Sequence, residues 1–240
     1  MMHMMNSNAA APDQHDALAL DPDFAARFAG NPRPPCQLYL VSPLDVGGDF
    51  AGRLKSVLGA APVAAFQFRV KGVDQHEAAR LADPLRQMCA DADVAFIIND
   101  DVSLAKRIGA DGVHLGQGDG DPRDARLALG PAAQIGVTCH NSRHLAMAAG
   151  EAGADYVAFG AFFPTTTKLV EHFAEPSILG WWTTVSEIPC VAIGGLTTMN
   201  CGPVVAAGAD FIAVSSAIWG CADGAEAGAR AFAKTLSATV

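Results

Sequence analysis

Gln67, Arg69 and Lys71 alternate along the segment Gln67-Phe68-Arg69-Val70-Lys71. In an extended strand that spacing sends all three side chains to the same side. Two cations and an amide facing one space suit an anion, and an ordinary charged strand end is the plainer alternative. Asn99-Asp100-Asp101 follows the apolar run Phe96-Ile97-Ile98, and Gly116-Gln117-Gly118-Asp119 follows Val113-His114-Leu115. Carboxylates from two neighbouring strand ends can share one hard cation. Mg²⁺ commonly takes one or two carboxylates and completes its shell with substrate phosphate oxygens and water. Asp100 with Asp119 is the preferred pair. Asp101 reads as the N-cap of the following helix, and Asp121, ahead of Pro122, as the cap of the next.

Later loops add phosphate chemistry. Gly160-Ala161-Phe162-Phe163-Pro164-Thr165-Thr166-Thr167-Lys168 sets three hydroxyls beside a lysine, which suits an anion-gripping loop that closes over substrate. Gly194-Gly195 and Ser215-Ser216 each precede a helical stretch, where small residues leave backbone N–H groups open to a phosphate. Thr138-Cys139-His140 offers a candidate thiol nucleophile, and His140 with His144 a candidate metal pair. Both readings are weak, because no ligand nearby completes a metal set and Asn141 or Ser142 reads simply as a helix cap. His76-Glu77 opens like H-E-x-x-H, but Arg80 stands in the second histidine's place, and neither G-x-S-x-G nor a P-loop occurs. Two anionic subsites result: one Mg²⁺-linked with Arg69, Lys71 and Lys168, the other a backbone cradle at Gly195 and Ser216. With no protein nucleophile, this suits displacement of a diphosphate by a second, phosphorylated substrate.

The rest of the chain must position these groups. Eight short β-branched or aromatic runs recur at Gln37–Val41, Val63–Phe68, Val94–Ile98, Gly112–Leu115, Gln134–Val137, Tyr156–Phe159, Cys190–Ile193 and Phe211–Val214. Ala/Leu-rich stretches of helical period lie between them, among them Gln75–Ala90, Ser142–Ala152 and Met199–Ala207. Parallel strands need such crossovers, so the pattern predicts an α/β fold, a (β/α)8 TIM barrel over residues 35–240. A doubly wound open sheet ranks below it, since no G-x-G-x-x-G opens a helix after a strand. Gly-Ala-Asp recurs at Gly109–Asp111, Gly153–Asp155 and Gly208–Asp210. There the Gly is expected to end a helix and the Asp to open the turn into the next strand. Residues 1–34, rich in Pro and small polar residues, read as a flexible extension with one short helix near 23–28.

Composition bounds the partners. The 240 residues are half apolar and 17% charged, enough for one large core, and 16 basic against 25 acidic residues give a net charge of −9. That argues against general nucleic-acid or membrane-surface binding, while leaving room for a small anionic substrate held by a few local cations. Six scattered cysteines without a C-x-x-C pair read as reduced thiols, and no apolar run reaches the roughly 18 residues of a membrane span. The opening segment lacks the basic and apolar regions of a signal peptide, so the expected location is cytoplasmic. A homo-oligomer is compatible with all of this.

The ordered motifs resemble the thiamine phosphate synthase family over about residues 36–220. The matches are Gln67-Phe68-Arg69-Val70-Lys71, Ile97-Ile98-Asn99-Asp100, Gly109 to Gln117, Gly153-Ala154-Asp155-Tyr156-Val157, Phe163 to Lys168, and Val191-Ala192-Ile193-Gly194-Gly195. That family joins hydroxymethylpyrimidine diphosphate to thiazole phosphate, giving thiamine phosphate and pyrophosphate. The resemblance implies that Gln67 contacts the pyrimidine and that Arg69, Lys71, Asn99 and Lys168 hold the diphosphate. It further implies that Asp100 and Asp119 bind Mg²⁺, and that Thr165, Thr167, Gly195, Ser215 and Ser216 hold the thiazole phosphate. The pyrimidine is thought to ionise to a resonance-stabilised cation that the thiazole nitrogen captures.

This chain departs from the family pattern in places. Val70 stands where Glu is usual and is expected to face away from the site. Gly118 replaces an acidic residue ahead of Asp119, and Thr138 takes a serine's place near the diphosphate. The stretch 169–182 also differs, and its Trp181-Trp182 pair reads as helix core. Two rival readings share the barrel: a thiazole tautomerase, which needs neither Mg²⁺ nor a second cationic subsite, and a non-catalytic barrel that binds thiamine precursors.

Overall fold

The structure, a computed structural model, describes residues 33–165 and 172–238. The helix expected near 23–28, and the loop residues Thr166, Thr167 and Lys168, lie outside the described residues. Alternation of strand and helix runs through the rest. The strands are β1 (Gln37–Val41), β2 (Ala65–Phe68), β3 (Ala95–Asn99), β4 (Gly112–Leu115), β5 (Gln134–His140), β6 (Tyr156–Gly160), β7 (Cys190–Ile193) and β8 (Phe211–Val214). Each pairs in parallel with its sequence neighbours, and β8 pairs with β1, so the sheet closes into a barrel and the open-sheet alternative falls. Helices α1 (Phe50–Ala60), α2 (Gln75–Asp91), α3 (Val102–Ile108), α4 (Pro122–Leu129), α5 (Arg143–Glu151), α6 (Ser177–Val185) and α7 (Gly202–Ala206) make the crossovers. α8 (Ser216–Trp219) and α9 (Ala225–Ser237) follow the last strand. Among the described residues no helix is long and apolar enough to cross a membrane.

Strand parity sorts the side chains into two cores. Leu38, Leu40, Phe66, Phe68, Phe96, Ile98, Val113 and Val157 point outward into the layer between sheet and helices. Tyr39, Val41, Ala65, Ile97, Tyr156, Ala158, Val191 and Ala213 fill the barrel's inside. Trp182 is fully buried against Phe159, its ring centroid 6.0 Å away and its indole N–H donating to Ile188 O at 2.8 Å. Trp181 lies under the Arg143 guanidinium at 4.9 Å. The helix-core reading of this pair therefore holds, with a cation–π contact at its rim.

Caps fall where the sequence placed them. Asp101 accepts from Leu104 N, Asp121 from Arg123 N and Ser142 from Leu145 N. Gly109 ends α3 in the left-handed region, at φ +64. The aspartates of the Gly-Ala-Asp repeat do more than open a turn. Asp111 Oδ2 accepts from Phe96 N at 2.7 Å, Asp155 Oδ2 from Ile135 N at 2.6 Å, and Asp210 Oδ2 from Cys190 N at 2.8 Å. Each carboxylate thus satisfies an N–H at the start of the preceding strand, tying β3 to β4, β5 to β6 and β7 to β8 at the barrel's base. Arg126 and Arg33 in turn pair with Asp155 and Asp210.

Among the boundaries that differ, two have identifiable reasons. β5 continues past Val137 because a register shift between Thr138 and His140 keeps it paired with β6, at the cost of a left-handed His140 with φ +52. The stretch expected to be helical from Met199 begins only at Gly202. Asn200 is spent on a turn instead, its Oδ1 accepting from Thr197 N and its Nδ2 donating to Gly195 O.

Candidate active site

At the C-terminal mouth of the barrel lies a cavity of about 370 Å³. Its walls come from strand ends and the loops after them, the place this fold keeps for chemistry. Gln67, Arg69, Asn99, Thr138, Thr165, Gly195, Ser215 and Ser216 all line it. Lys71, Asp100 and Asp119 do not; they gather beside it. Lys71 Nζ lies 3.0 Å from Asp100 Oδ2, and the Asp119 carboxyl meets that of Asp100. Thr167 and Lys168 lie outside the described residues.

The Arg69 position is built from β1. Ser42, fully buried just after that strand, takes a hydrogen bond from Arg69 N at 2.8 Å, its hydroxyl lying 2.9 Å from Pro43 O and 3.1 Å from Arg69 O. Val70 packs against the outer core, so Arg69 takes the inward side, as alternation requires. Arg69 Nη1 is buried with no hydrogen-bond partner among the described residues. A buried guanidinium N–H left unpaired costs about 1–3 kcal/mol. An anion in the cavity would supply the missing acceptor.

The carboxylate pair is held by backbone. Asp100 sits at φ +66, outside the usual range for a residue with a Cβ, and its N–H donates to His114 O at 2.8 Å. Asp119 Oδ2 accepts from Gly116 N at 2.9 Å, and a Cβ on Gly116 would stand 2.5 Å from that oxygen. Partial burial, and then the neighbouring Asp100 carboxylate, raise the Asp119 carboxyl above its usual range. Two neighbouring carboxylates, one of them paired with Lys71, suit a divalent ion that finishes its shell on substrate oxygens, as Mg²⁺ does. A Cβ on Gly118 would meet nothing within 4 Å, so the loop has room for a side chain there.

Opposite, the loop after β7 passes tight against the loop after β6. Gly194 (φ +103) and Gly195 (φ +63) both sit at positive φ, where a side chain brings strain. A Cβ on Gly195 would stand 2.3 Å from Pro164 O. Phe162 N and Phe163 N donate to Ile193 O and Gly194 O, so the two loops form one backbone wall.

His114 and His172 escaped the sequence reading as site residues, and His140 was read there only as a metal candidate with His144. His114, His140 and His172 line the cavity, and His140's ring lies 5.4 Å from that of His172, on the loop returning from β6. Nothing local ties residue 172 to residue 140, so no sequence signal could have found that pair. His114 was within reach: it occupies an inward position of β4 where an apolar residue would be ordinary. Among the described residues no group of three or more His, Cys, Asp and Glu is placed to hold a metal ion. The thiol reading also falls. Cys139 is buried, which pushes its pKa up to about 12, so it carries no thiolate at neutral pH.

The thiamine monophosphate synthase family profile matches residues 38–218. A thiamine-phosphate synthase of Erythrobacter litoralis is 61% identical over 208 residues, covering 85% of this chain and 97% of that protein. Another, of Rhodospirillum centenum, is 51% identical over 185 residues, 77% of this chain and 89% of its own length. Among solved structures, a thiamine phosphate pyrophosphorylase from Pyrococcus furiosus superposes with a TM-score of 0.76 at 28% identity, covering 85% of this chain and 96% of that one. The chain belongs to the thiamine monophosphate synthase family.

Proposed function

We propose that the protein condenses 4-amino-2-methyl-5-hydroxymethylpyrimidine diphosphate with 4-methyl-5-(2-hydroxyethyl)thiazole phosphate, releasing pyrophosphate and forming thiamine phosphate. The observation that carries this reading is the buried Arg69 Nη1 at the cavity wall, without a hydrogen-bond partner among the described residues, beside the Asp100–Asp119 pair. A monophosphate isomerase has no use for that second, cationic subsite. Mg²⁺, when bound at Asp100 and Asp119, would neutralise charge on the diphosphate and make it a better leaving group.

The chain's own residues do the rest by position and charge. Arg69, Lys71 and Asn99 face the leaving diphosphate, joined by Lys168 from the loop after β6. Gln67, almost wholly buried, holds the pyrimidine, and the Thr138 hydroxyl lies near the diphosphate. Thr165, Gly195, Ser215 and Ser216, with Thr167, grip the thiazole phosphate and so hold the ring nitrogen for attack. No side chain need bond to carbon: the C–O bond to pyrophosphate breaks, the pyrimidine methylene takes the positive charge, and the thiazole nitrogen forms the new C–N bond.

The direct test mixes purified protein, both substrates and Mg²⁺, and follows thiamine phosphate and pyrophosphate with and without EDTA. Equal formation of both products, abolished by EDTA, is expected; no product from folded protein turns the reading toward a tautomerase or a binding role. Gly195→Ala tests the cradle. A Cβ there meets carbonyl oxygen on a backbone that cannot easily retreat, so KM for the thiazole phosphate is expected to rise about tenfold or more. KM for the pyrimidine diphosphate should move much less in the same steady-state assay.

A further inference from the structure

A continuous line of side-chain hydrogen bonds runs through the barrel and reaches the cavity at both ends. Gln67 Nε2 donates to Tyr39 Oη at 3.1 Å, and Tyr39 Oη lies 3.0 Å from Tyr156 Oη. Tyr156 Oη is 3.1 Å from His114 Nδ1, whose Nε2 is 2.8 Å from Thr138 Oγ1. Gln67, Tyr39, Tyr156 and His114 are each less than a tenth exposed. Gln67, His114 and Thr138 line the cavity; the tyrosines lie inside the barrel, where the Tyr156 ring fills the space left by Gly136. A Cβ on Gly136 would stand 2.0 Å from Tyr156 Cζ, and the His114 ring stacks on Tyr156 with centroids 5.6 Å apart.

Each hydroxyl has one proton, so the direction of donation at one end sets every other link. Gln67 gives an amide hydrogen to Tyr39, and Tyr39 then gives its own to Tyr156. Tyr156 in turn gives its proton to His114 Nδ1, so a neutral His114 carries its hydrogen on Nε2 and donates it to Thr138 Oγ1. Thr138 is left with its hydroxyl proton to offer, and Gln67 with Oε1 as an acceptor. Reversing one link alone would set two hydrogens, or two lone pairs, face to face in a dry interior. Burial also raises both phenols, Tyr39 to about 12 and Tyr156 well above the usual value, so both keep their protons at neutral pH.

We propose that Tyr39 and Tyr156 are positioning residues that hold His114 as its Nε2–H tautomer and so fix the cavity floor as an acceptor at Gln67 and a proton donor at Thr138. That polarity selects an amino-substituted azine. Its exocyclic amine donates to Gln67 Oε1, while a ring nitrogen or phosphate oxygen accepts from Thr138. The matching oxo-pyrimidine presents a carbonyl in place of the amine and is refused. The identity of the substrate rests on the synthase reading above; the polarity of the line does not.

The test is ¹⁵N NMR of histidine-labelled full-length protein, with His114 assigned by comparison with His114→Asn, joined to steady-state kinetics of Tyr156→Phe. The wild type should show His114 with Nδ1 unprotonated and Nε2 protonated. In Tyr156→Phe the ring loses the donor to Nδ1, and the signal should shift toward mixed tautomers. KM for the pyrimidine diphosphate should then rise about tenfold with KM for the thiazole phosphate unchanged, a split that a general loss of folding would not produce. A protonated Nδ1 in the wild type, or an unchanged tautomer and KM in Tyr156→Phe, overturns the proposal. Tyr39→Phe, which keeps the Tyr156 hydroxyl but frees its direction, is the second variant and should give a smaller change of the same sign. If the wild type forms no thiamine phosphate, the synthase reading falls, and the tautomer measurement still decides the line.

Discussion

Arg69→Met lowers kcat/KM about a thousandfold while leaving Tm unchanged or slightly raised. The two halves of that expectation have one cause. In the free protein Ser42 holds the Arg69 backbone, and the side chain's Nη1 has no hydrogen-bond partner among the described residues. The fold therefore bears a desolvated donor that an anionic ligand would satisfy. Methionine keeps much of the apolar stem and removes the unpaired N–H, so the fold loses nothing and sheds a cost of about 1–3 kcal/mol. The developing pyrophosphate loses a charge-assisted partner at the moment its charge grows. Arg69→Lys restores the charge but not the planar fork, and should recover only part of the rate. Kinetics, thermal melts and pyrophosphate inhibition on the three proteins check this together. A large drop in Tm for Arg69→Met, or a pyrophosphate inhibition constant equal to wild type, would show that the guanidinium supports the fold and not the reaction.

The same segment shows how far local pattern carries. Period-two alternation was enough to send Gln67 and Arg69 inward and Val70 outward, because strand parity is a property of neighbouring residues. It misplaced Lys71. β2 ends at Phe68, so beyond Arg69 parity no longer binds, and Lys71 leaves the cavity wall to meet Asp100. Caps were legible for the same local reason, Asp101 and Ser142 reaching N–H groups three residues on. The strand N–H partners of the Gly-Ala-Asp carboxylates were not legible because they lie 15 to 20 residues back, across a closed sheet. Tyr39, Gln67, His114 and Tyr156 were a middle case. All four stand at inward positions of their strands, where a packed barrel would be apolar, so a search for polar residues at inward parity would have found the line. The His140–His172 contact was beyond reach, since the loop's return path is set by Ala161, whose N–H donates to His172 O at 3.2 Å.

Asp119→Asn is expected to lower kcat/KM by on the order of a hundredfold to a thousandfold, and in EDTA to melt at or above the wild-type temperature at neutral pH. The sign follows from the raised Asp119 carboxyl, whose causes are partial burial and the adjacent Asp100 carboxylate. A carboxyl whose folded value lies above its unfolded one holds its proton more tightly in the folded state. Metal-free stability therefore falls as pH rises from the unfolded value through the folded one, and the cost is fully present above the folded value. Asparagine removes the charge yet can still accept from Gly116 N, so the loop survives and the slope flattens. Adding Mg²⁺ with pyrophosphate should reverse the order. Wild type gains stability by mass action when the pair is shared with a cation, and Asp119→Asn gains little. Gly118→Glu, which meets no neighbouring atom at its Cβ, should enlarge the wild-type gain by restoring negative charge beside the pair. Melts across pH, with EDTA or with Mg²⁺ and pyrophosphate, separate these effects. An Asp119→Asn protein that melts below wild type in EDTA would mean that the carboxylate serves the loop before it serves a metal.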